Sequence, residues 1–314
     1  MLKKYDIVTL GEILIDFTPD GTDEGGYARF LRNPGGAVLN VAAVFAKYGA
    51  KPALIGKVGN DLFGRYLRQY LTELGIDCSG IAVDDDYNTT LAFVSLDAEG
   101  NRDFAFYRKH EADLRLSTDE LNLELLRNTR IFHFGSLSMT MEPARTATRE
   151  AIRIARESGA KISYDPNFRA SLWAGQDAAS YMREVLPCVD YLKVSEEEGE
   201  MITGIRDPQA CADALVASGG PSFAAVTLGK DGSCFATSCG ARGYIPAHPA
   251  KAVDTTGAGD TFFGTFLHEV SVHSLDLRDG TAVRHAVELA TKAAALSTER
   301  KGGAPSIPEY GKLI

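Results

Sequence analysis

The stretch "NPGGAVLNVAAVFAKYGAKPALIGKVGNDLFG", Asn33 to Gly64, decides the fold class. Gly35 and Gly36 permit a tight turn. Residues 38–48 then place apolar side chains at 41, 44, 45 and 48, the spacing of one helix face. "PALIGKV" follows as an apolar run of strand length, and a second helical pattern covers 61–74. The alternation extends in both directions. "YDIVTL", "RIFHFG", "AKISYD", "DYLKVS" and "FAAVTL" read as buried strands. Residues 142–157, 207–218, 257–272 and 281–298 read as amphipathic helices. Buried strands alternating with helices predict an α/β protein of three layers, α/β/α. Its sheet is mostly parallel, with helices on both faces and right-handed crossovers.

Two segments break the alternation. Residues 12–33 hold "EILIDFTPDG" and "YARFL", and residues 88–108 hold "NTTLAFVSLDAEGNRDFAFYR". The second alternates strand residues about an "AEGN" turn, a hairpin signal. Together they predict a small β-sheet lid inserted into the core, or alternatively an edge extension of the main sheet. The expected division is a core of 1–11, 34–87 and 111–314, with lid parts at 12–33 and 88–110.

The 314 residues carry 33 Lys+Arg against 42 Asp+Glu, a formal net charge of -9. That balance argues against nucleic acid or an anionic membrane as a partner. It leaves room for an anionic ligand held by backbone N–H groups at a helix start. No apolar run approaches the ~18 residues of a spanning helix. Glu12 and Asp16 break the first apolar stretch, which has no small-residue cleavage site, so a cytoplasmic location is expected. Cys78, Cys188, Cys211, Cys234 and Cys239 are odd in number and form no C-x-x-C pair. They read as ordinary thiols.

The chemistry concentrates in "DTTGAGDTF", Asp254 to Phe262. A polar turn with Gly257 and Gly259 feeds an amphipathic helix whose first N–H groups lack internal partners. This is an anion hole, or else a plain helix start with Asp260 as the dipole's partner. No G-K-[ST] follows, and no G-x-G-x-x-G follows the first strand, so neither a P-loop nor a dinucleotide fingerprint is present. Asn40 carries an amide that suits sugar hydroxyls, or caps a turn.

"GGAVLNVAAVFAKYGAKPALIGKVGNDLFG" and "DTTGAGDTF" together resemble the two signatures of the ribokinase-like (PfkB-type) carbohydrate kinases, and the match runs over nearly the whole chain. The resemblance implies a ribokinase-like core, a lid closing over a sugar, and transfer of the ATP γ-phosphoryl group to a sugar hydroxyl with Mg²⁺. Asp260 falls on the general base, and Gly257, Ala258 and Gly259 on the anion hole. Phosphoryl transfer needs mainly positioning and charge stabilisation, which aligned N–H donors supply.

The remaining positions follow from the same resemblance. Glu198 in "VSEEEGEMITG" falls on the glutamate that orders the Mg²⁺ shell through water; the alternative is a solvated helix start. Ser195 stands where many members have Asn. Lys193, Thr227, Gly229 and Gly232 fall on the nucleotide side. Asp254, Gly302 and Ser306 fall on a loop that in many members binds K⁺, or are plain turn and surface residues. Asp16, Gly35, Gly36, Asn40, Asn167 and Arg169 fall around the sugar. Arg169 faces the phosphoryl group or the sugar, or else bridges to the lid. Phe104 and Phe106 wall the pocket or pack within the lid. Arg108 points to sugar oxygens or to the surface.

The lid, "FHFGSLSM", "SYDPNFRASLW" and "LKVSEEE" resemble the bacterial fructokinases of the family. The implied reaction is phosphorylation of the 6-hydroxyl of D-fructose. The alternatives are a 2-keto-3-deoxygluconate kinase, a ribose or nucleoside kinase, and a non-catalytic sugar sensor, which would have lost the base or the anion hole. Lids of the family often pair, so a homodimer through the lid is a further expectation.

Overall fold

A computed structural model describes residues 3–96, 102–173 and 175–314, the side chains of residues 95, 96 and 102–104 excepted. The "AEGN" turn and the Phe104 side chain therefore lie outside the described residues. The described strands are β1 (Tyr5–Leu10), β2 (Leu14–Thr22), β3 (Ala28–Gly35), β4 (Pro52–Gly59), β5 (Asp77–Asp84), β6 (Thr90–Leu96), β7 (Arg102–Tyr107), β8 (Thr129–Gly135), β9 (Lys161–Asp165), β10 (Tyr191–Ser195), β11 (Phe223–Thr227), β12 (Ser233–Thr237) and β13 (Arg242–Ile245). The helices are α1 (Ala37–Lys47), α2 (Leu62–Glu73), α3 (Leu123–Arg127), α4 (Ala144–Glu157), α5 (Ala178–Val185), α6 (Glu196–Thr203), α7 (Pro208–Ala217), α8 (Ala258–Val272) and α9 (Gly280–Ser297). All six strands and six helices expected in the core are present.

Nine strands form the main sheet in the order β13-β12-β11-β10-β9-β8-β1-β4-β5. Every neighbouring pair is parallel except β11–β12 and β12–β13. Alternation along β8 shows how the layers arise. Ile131 joins the cluster with Phe45 of α1 and Phe262, Phe263 and Phe266 of α8, while Phe132 and Phe134 join the opposite cluster with Ala147, Ala151 and Ile154 of α4. Successive side chains point to opposite faces of a strand, so one apolar run feeds both cores. Each buried Phe contributes about 1.5–3 kcal/mol. Phe223 of β11 stacks on Phe266 with ring centroids 3.8 Å apart, which fixes α8 against the sheet.

The two insertions form a separate four-stranded sheet, order β3-β2-β6-β7, rather than an edge extension. Asp16 of β2 is opposite Ala92 of β6, which is opposite Phe106 of β7. These three share one face of the lid. The other face packs Phe17 against Phe93, stacked at 4.8 Å, and Phe17 against Phe63 of α2. No helix among the described residues is long and apolar enough to cross a membrane. The five cysteines are free.

Candidate active site

Parallel α/β sheets bind ligands beyond the carboxyl ends of their strands. Here β9 ends at Asp165 and β10 at Ser195, and α8 begins beside them. A cavity of about 370 Å³ opens at this place, lined among others by Asp16 and Phe106 from the lid, Asn40 from α1, and Asn167, Arg169 and Lys193 from the strand ends. Gly36, Glu198, Gly257, Ala258, Gly259 and Asp260 complete much of its wall.

The α1 start is built for close approach. Gly36 has φ 115, and a Cβ there would strike the Glu12 carbonyl oxygen. A Cβ on Gly35 would fall on the Asp16 carboxylate, so Gly35 makes room for the wall without lining it. Gly36 offers no side-chain cap; instead Glu12 Oε1 accepts the Ala37 N–H at 2.8 Å. Burial pushes the Glu12 carboxyl up, against the hydrogen bonds of its own and the Ala37 N–H. Nothing in the sequence marked Glu12 as part of the site beyond its break in an apolar run.

The α8 start is likewise without a side-chain cap, and Gly257 holds φ 76. The Ala258 N–H makes a long bond of 3.3 Å to the Thr255 carbonyl, and the Thr261 N–H closes the first helical bond on Gly257 at 2.8 Å. In the first turn stands Asp260, 8% exposed, whose Oδ2 accepts from Asn40 Nδ2 at 2.7 Å. Asn40 Oδ1 is buried with no protein partner. Burial and the Asp165 carboxylate push Asp260 up to about 7, against the Asn40 hydrogen bond and the charges of Lys193 and Arg169. Asp16 is pushed up to about 7 as well, first by burial and then by Asp260, Glu12 and Asp254, with Arg169 opposing.

Lys193 pairs with Asp165 at 3.0 Å, and both are buried. Burial lowers the Lys193 pKa, but Asp165, Glu198 and Asp260 outweigh it and the net direction is up, so the ammonium is charged. A Cβ built on Gly259 would lie 3.0 Å from Lys193 Nζ, so the ammonium sits under the first turn of α8. Asp165 also accepts the Asn167 N–H at 3.1 Å, which supports Asn167 at φ 45, a left-handed conformation Asn tolerates.

Ser195 is the N-cap of α6. Its Oγ accepts the Glu198 N–H at 3.2 Å, and Glu198 Oε2 accepts the Ser195 N–H at 2.7 Å, a capping box. Glu198 Oε1 accepts the Phe168 N–H at 2.7 Å. Glu198 thus ties the 166–169 loop to α6 and also faces the cavity. Its remaining lone pairs stay open to a metal's water.

A second cavity, about 510 Å³, lies on the other side of the α8 start. Thr227, Gly229 and Gly232 line one wall, residues 247–250 another, and Ala294, Ala295 and Thr298 of α9 and beyond form an apolar floor. Thr255, Ala258 and Gly259 line both cavities. Behind the turn, Asp254 Oδ1 accepts the Thr256 N–H at 2.8 Å and Oδ2 the Gly302 N–H at 2.9 Å. Ser306 is buried and donates to the Gly303 carbonyl at 2.8 Å.

Arg108 is not brought to the cavity. It is buried, with Nε 2.7 Å from Asp113 Oδ2, Nη1 donating to Thr140 Oγ1 and Nη2 to the Leu137 carbonyl. Its guanidinium fastens the lid's exit to the core, because Asp113 five residues on supplies a buried counter-charge. Asp165, which sequence reasoning passed over, is signalled by strand register: Tyr191 pairs with Ser163 and Leu192 with Tyr164, which sets Lys193 beside Asp165.

Residues 4–310 match the family described as pfkB family carbohydrate kinase. Fructokinase-1 of Zea mays is 39% identical over 313 residues, covering 98% of this chain and 96% of that protein. A fructokinase from Xylella fastidiosa with bound ATP superposes with a TM-score of 0.89 at 30% identity, over 98% of both chains. A fructokinase from Vibrio cholerae O395 in a fructose-, ADP- and calcium-bound form gives 0.88 at 32%, over 98% of this chain and 97% of that one. With signatures, lid and two-sided α8 start in agreement with this likeness, the chain belongs to the pfkB family of carbohydrate kinases.

Proposed function

We propose that this kinase transfers the γ-phosphoryl group of ATP to the 6-hydroxyl of D-fructose, giving fructose 6-phosphate and ADP. The observation that carries the reading is the meeting of two cavities at Thr255, Ala258 and Gly259, with the Asp260 carboxyl on the polar side and an apolar cleft on the other. Fructose binds under the lid, where Asp16 offers two acceptor oxygens and Asn40 Oδ1 a third. Asp260 takes the hydroxyl proton as that oxygen bonds to phosphorus and the bond from phosphorus to the ADP oxygen breaks. First-turn N–H groups of α8, Lys193 and Arg169 receive the charge of the transferring group. The closed lid excludes water, the competing acceptor.

The oxygen donors present suit hard cations. Glu198 would hold Mg²⁺ through water, and Asp254, the Gly302 region and Ser306 would surround K⁺. When bound, Mg²⁺ neutralises phosphate charge. The lid edge β3 exposes Phe30 and Leu31, with Tyr27 just before it, which supports pairing of two lids into a dimer.

Engagement of Arg108 leaves Arg169 as the one guanidinium among the cavity's described lining, which favours a neutral ketose over a keto acid. The test is ADP release with fructose, 2-keto-3-deoxygluconate, ribose, glucose and adenosine. The highest kcat/KM is expected for fructose, and preference for the keto acid would overturn the assignment.

A further inference from the structure

We propose that His268, Glu269 and His273 form a binding site for a divalent transition-metal ion, of which Zn²⁺ is the type case, at the C-terminal end of α8. One ligand atom from each lies within 4.8 Å of the others. Glu269 and His273 are one helical turn apart and share a face. His268 is 2% exposed, and its Nδ1 lies 3.3 Å from Glu269 Oε1. Its Nε2 is buried with no hydrogen-bond partner. Nδ1, the nitrogen that faces Glu269, is the one the ring offers to an ion shared with Glu269, and Nε2 lies on the other side of the ring and takes no part in the site.

The donor set selects the cation. Two imidazoles and one carboxylate suit Zn²⁺ and its neighbours, whereas Mg²⁺ and Ca²⁺ prefer oxygen alone. Ligands about 2.0–2.2 Å from a tetrahedral zinc lie about 3.4 Å from one another, so a small inward movement of the exposed His273 closes the set. Tyr310 marks the fourth direction. Its hydroxyl donates to Glu269 Oε1 at 2.9 Å and lies 3.2 Å from His273 Nε2. A cavity of about 290 Å³ beside Glu269 and His273 gives the ion a way in. Asp276 and Asp279 also border it but are engaged, by Arg278 and by the first N–H groups of α9.

The site is remote from the chemistry, nine residues or about 14 Å along α8 from Asp260. Its effect would be structural. His268 packs on Tyr48 at the end of α1 and on Tyr310 in the C-terminal turn, with ring centroids 5.2 Å away in each case. A metal there pins three chain segments together and raises Tm by mass action.

The experiment uses tag-free full-length protein stripped with chelator, titrated with Zn²⁺ against a chromophoric chelator in excess Mg²⁺, with Co²⁺ absorption reporting tetrahedral coordination. The expected result is one tight Zn²⁺ per chain, lost by about 100-fold or more in His273→Ala and in Glu269→Gln. kcat is expected to be unchanged in His273→Ala, whose exposed position spares the fold. No stoichiometric uptake overturns the proposal. So does uptake that survives both substitutions, or that follows Glu198→Gln or Asp254→Asn instead.

Discussion

Asp260→Asn separates what the residue does for turnover from what it costs the fold. The carboxyl is pushed up to about 7 from the ordinary aspartate value of 3.8, chiefly by burial and by Asp165. Between those values the folded chain binds a proton that the unfolded chain has released. Wild-type stability therefore falls as pH rises through this window, and the loss is complete above about pH 7. Carried through linkage, that displacement corresponds to about 4 kcal/mol at pH 8. Asn removes the ionisation and can still present an amide oxygen to Asn40 Nδ2, which keeps the 2.7 Å hydrogen bond.

With an unfolding entropy of about 0.66 kcal/mol/K for 314 residues, the variant should melt about 6 °C above wild type near pH 8. The gap should shrink toward zero near pH 4. Turnover should fall by about 10²–10⁴-fold, the usual contribution of a general base, while sugar and nucleotide still bind. The assays are thermal unfolding across pH, ADP release and calorimetric binding. A variant with near-full kcat refutes the base assignment. One that melts below wild type near pH 8 refutes the electrostatic reasoning.

Two further outcomes follow from neighbouring contacts. Asn40→Ala removes the hydrogen bond that holds the Asp260 pKa down, and a bond to a charged group is worth about 1.5–3 kcal/mol. The acid limb of the pH–rate profile should therefore move up by about 1–2 units, with activity lost near pH 7 and partly regained near pH 9; an unmoved limb would contradict the role given to Asn40. Glu198→Gln keeps an oxygen for one backbone N–H but loses the charge that would hold a hydrated cation, so the Mg²⁺ concentration for half-maximal rate should rise about tenfold. An unchanged Mg²⁺ titration, with an unchanged Tm, would remove Glu198 from the metal's shell.

The parts of the fold that were legible in sequence are those fixed by local chemistry. The six expected strands are apolar because both faces of a parallel sheet are covered, and the lid's alternation shows because one face meets the cavity. β5, "DCSGIAVD", escaped notice because it is an edge strand with few apolar residues in a row. β12 and β13 escaped because "SCFAT" and "RGYI" are only five and four residues long and each spaces its large apolar side chains, Phe235 and Ile245, among small and polar ones, too short a run for the period to show. In the site, Asp260 and the glycines were legible as a motif, whereas the Asp165–Lys193 pair and the Arg108–Asp113 pair were not. Both depend on which residues tertiary structure sets opposite each other. Arg108 sits where the lid returns to the core, a place from which sequence alone cannot decide between pocket and anchor.

The charge balance of the site bears on how it can accept a nucleotide. Glu12, Asp16, Glu197, Glu198 and Asp260 line the cavity, against Arg169 and Lys193. Lys193 is itself half spent on Asp165. A triphosphate seated in the second cavity, which Lys230 lines, meets these five carboxyl groups only at the γ-phosphate that reaches past the α8 start, and there, in a chain of net charge -9, it meets repulsion, not attraction. Three features reduce it. Burial holds Asp16, Asp260 and Glu12 toward their protonated forms. The α8 N-terminus supplies N–H groups and dipole without a formal charge. A divalent cation beside Glu198 would turn a repulsive carboxylate into a ligand's support. On this reasoning nucleotide affinity should depend on Mg²⁺ far more steeply than sugar affinity does. Calorimetric titration of each ligand with and without the metal measures that difference, and equal dependence would show that the N–H groups and the side-chain cations Arg169, Lys193 and Lys230 suffice.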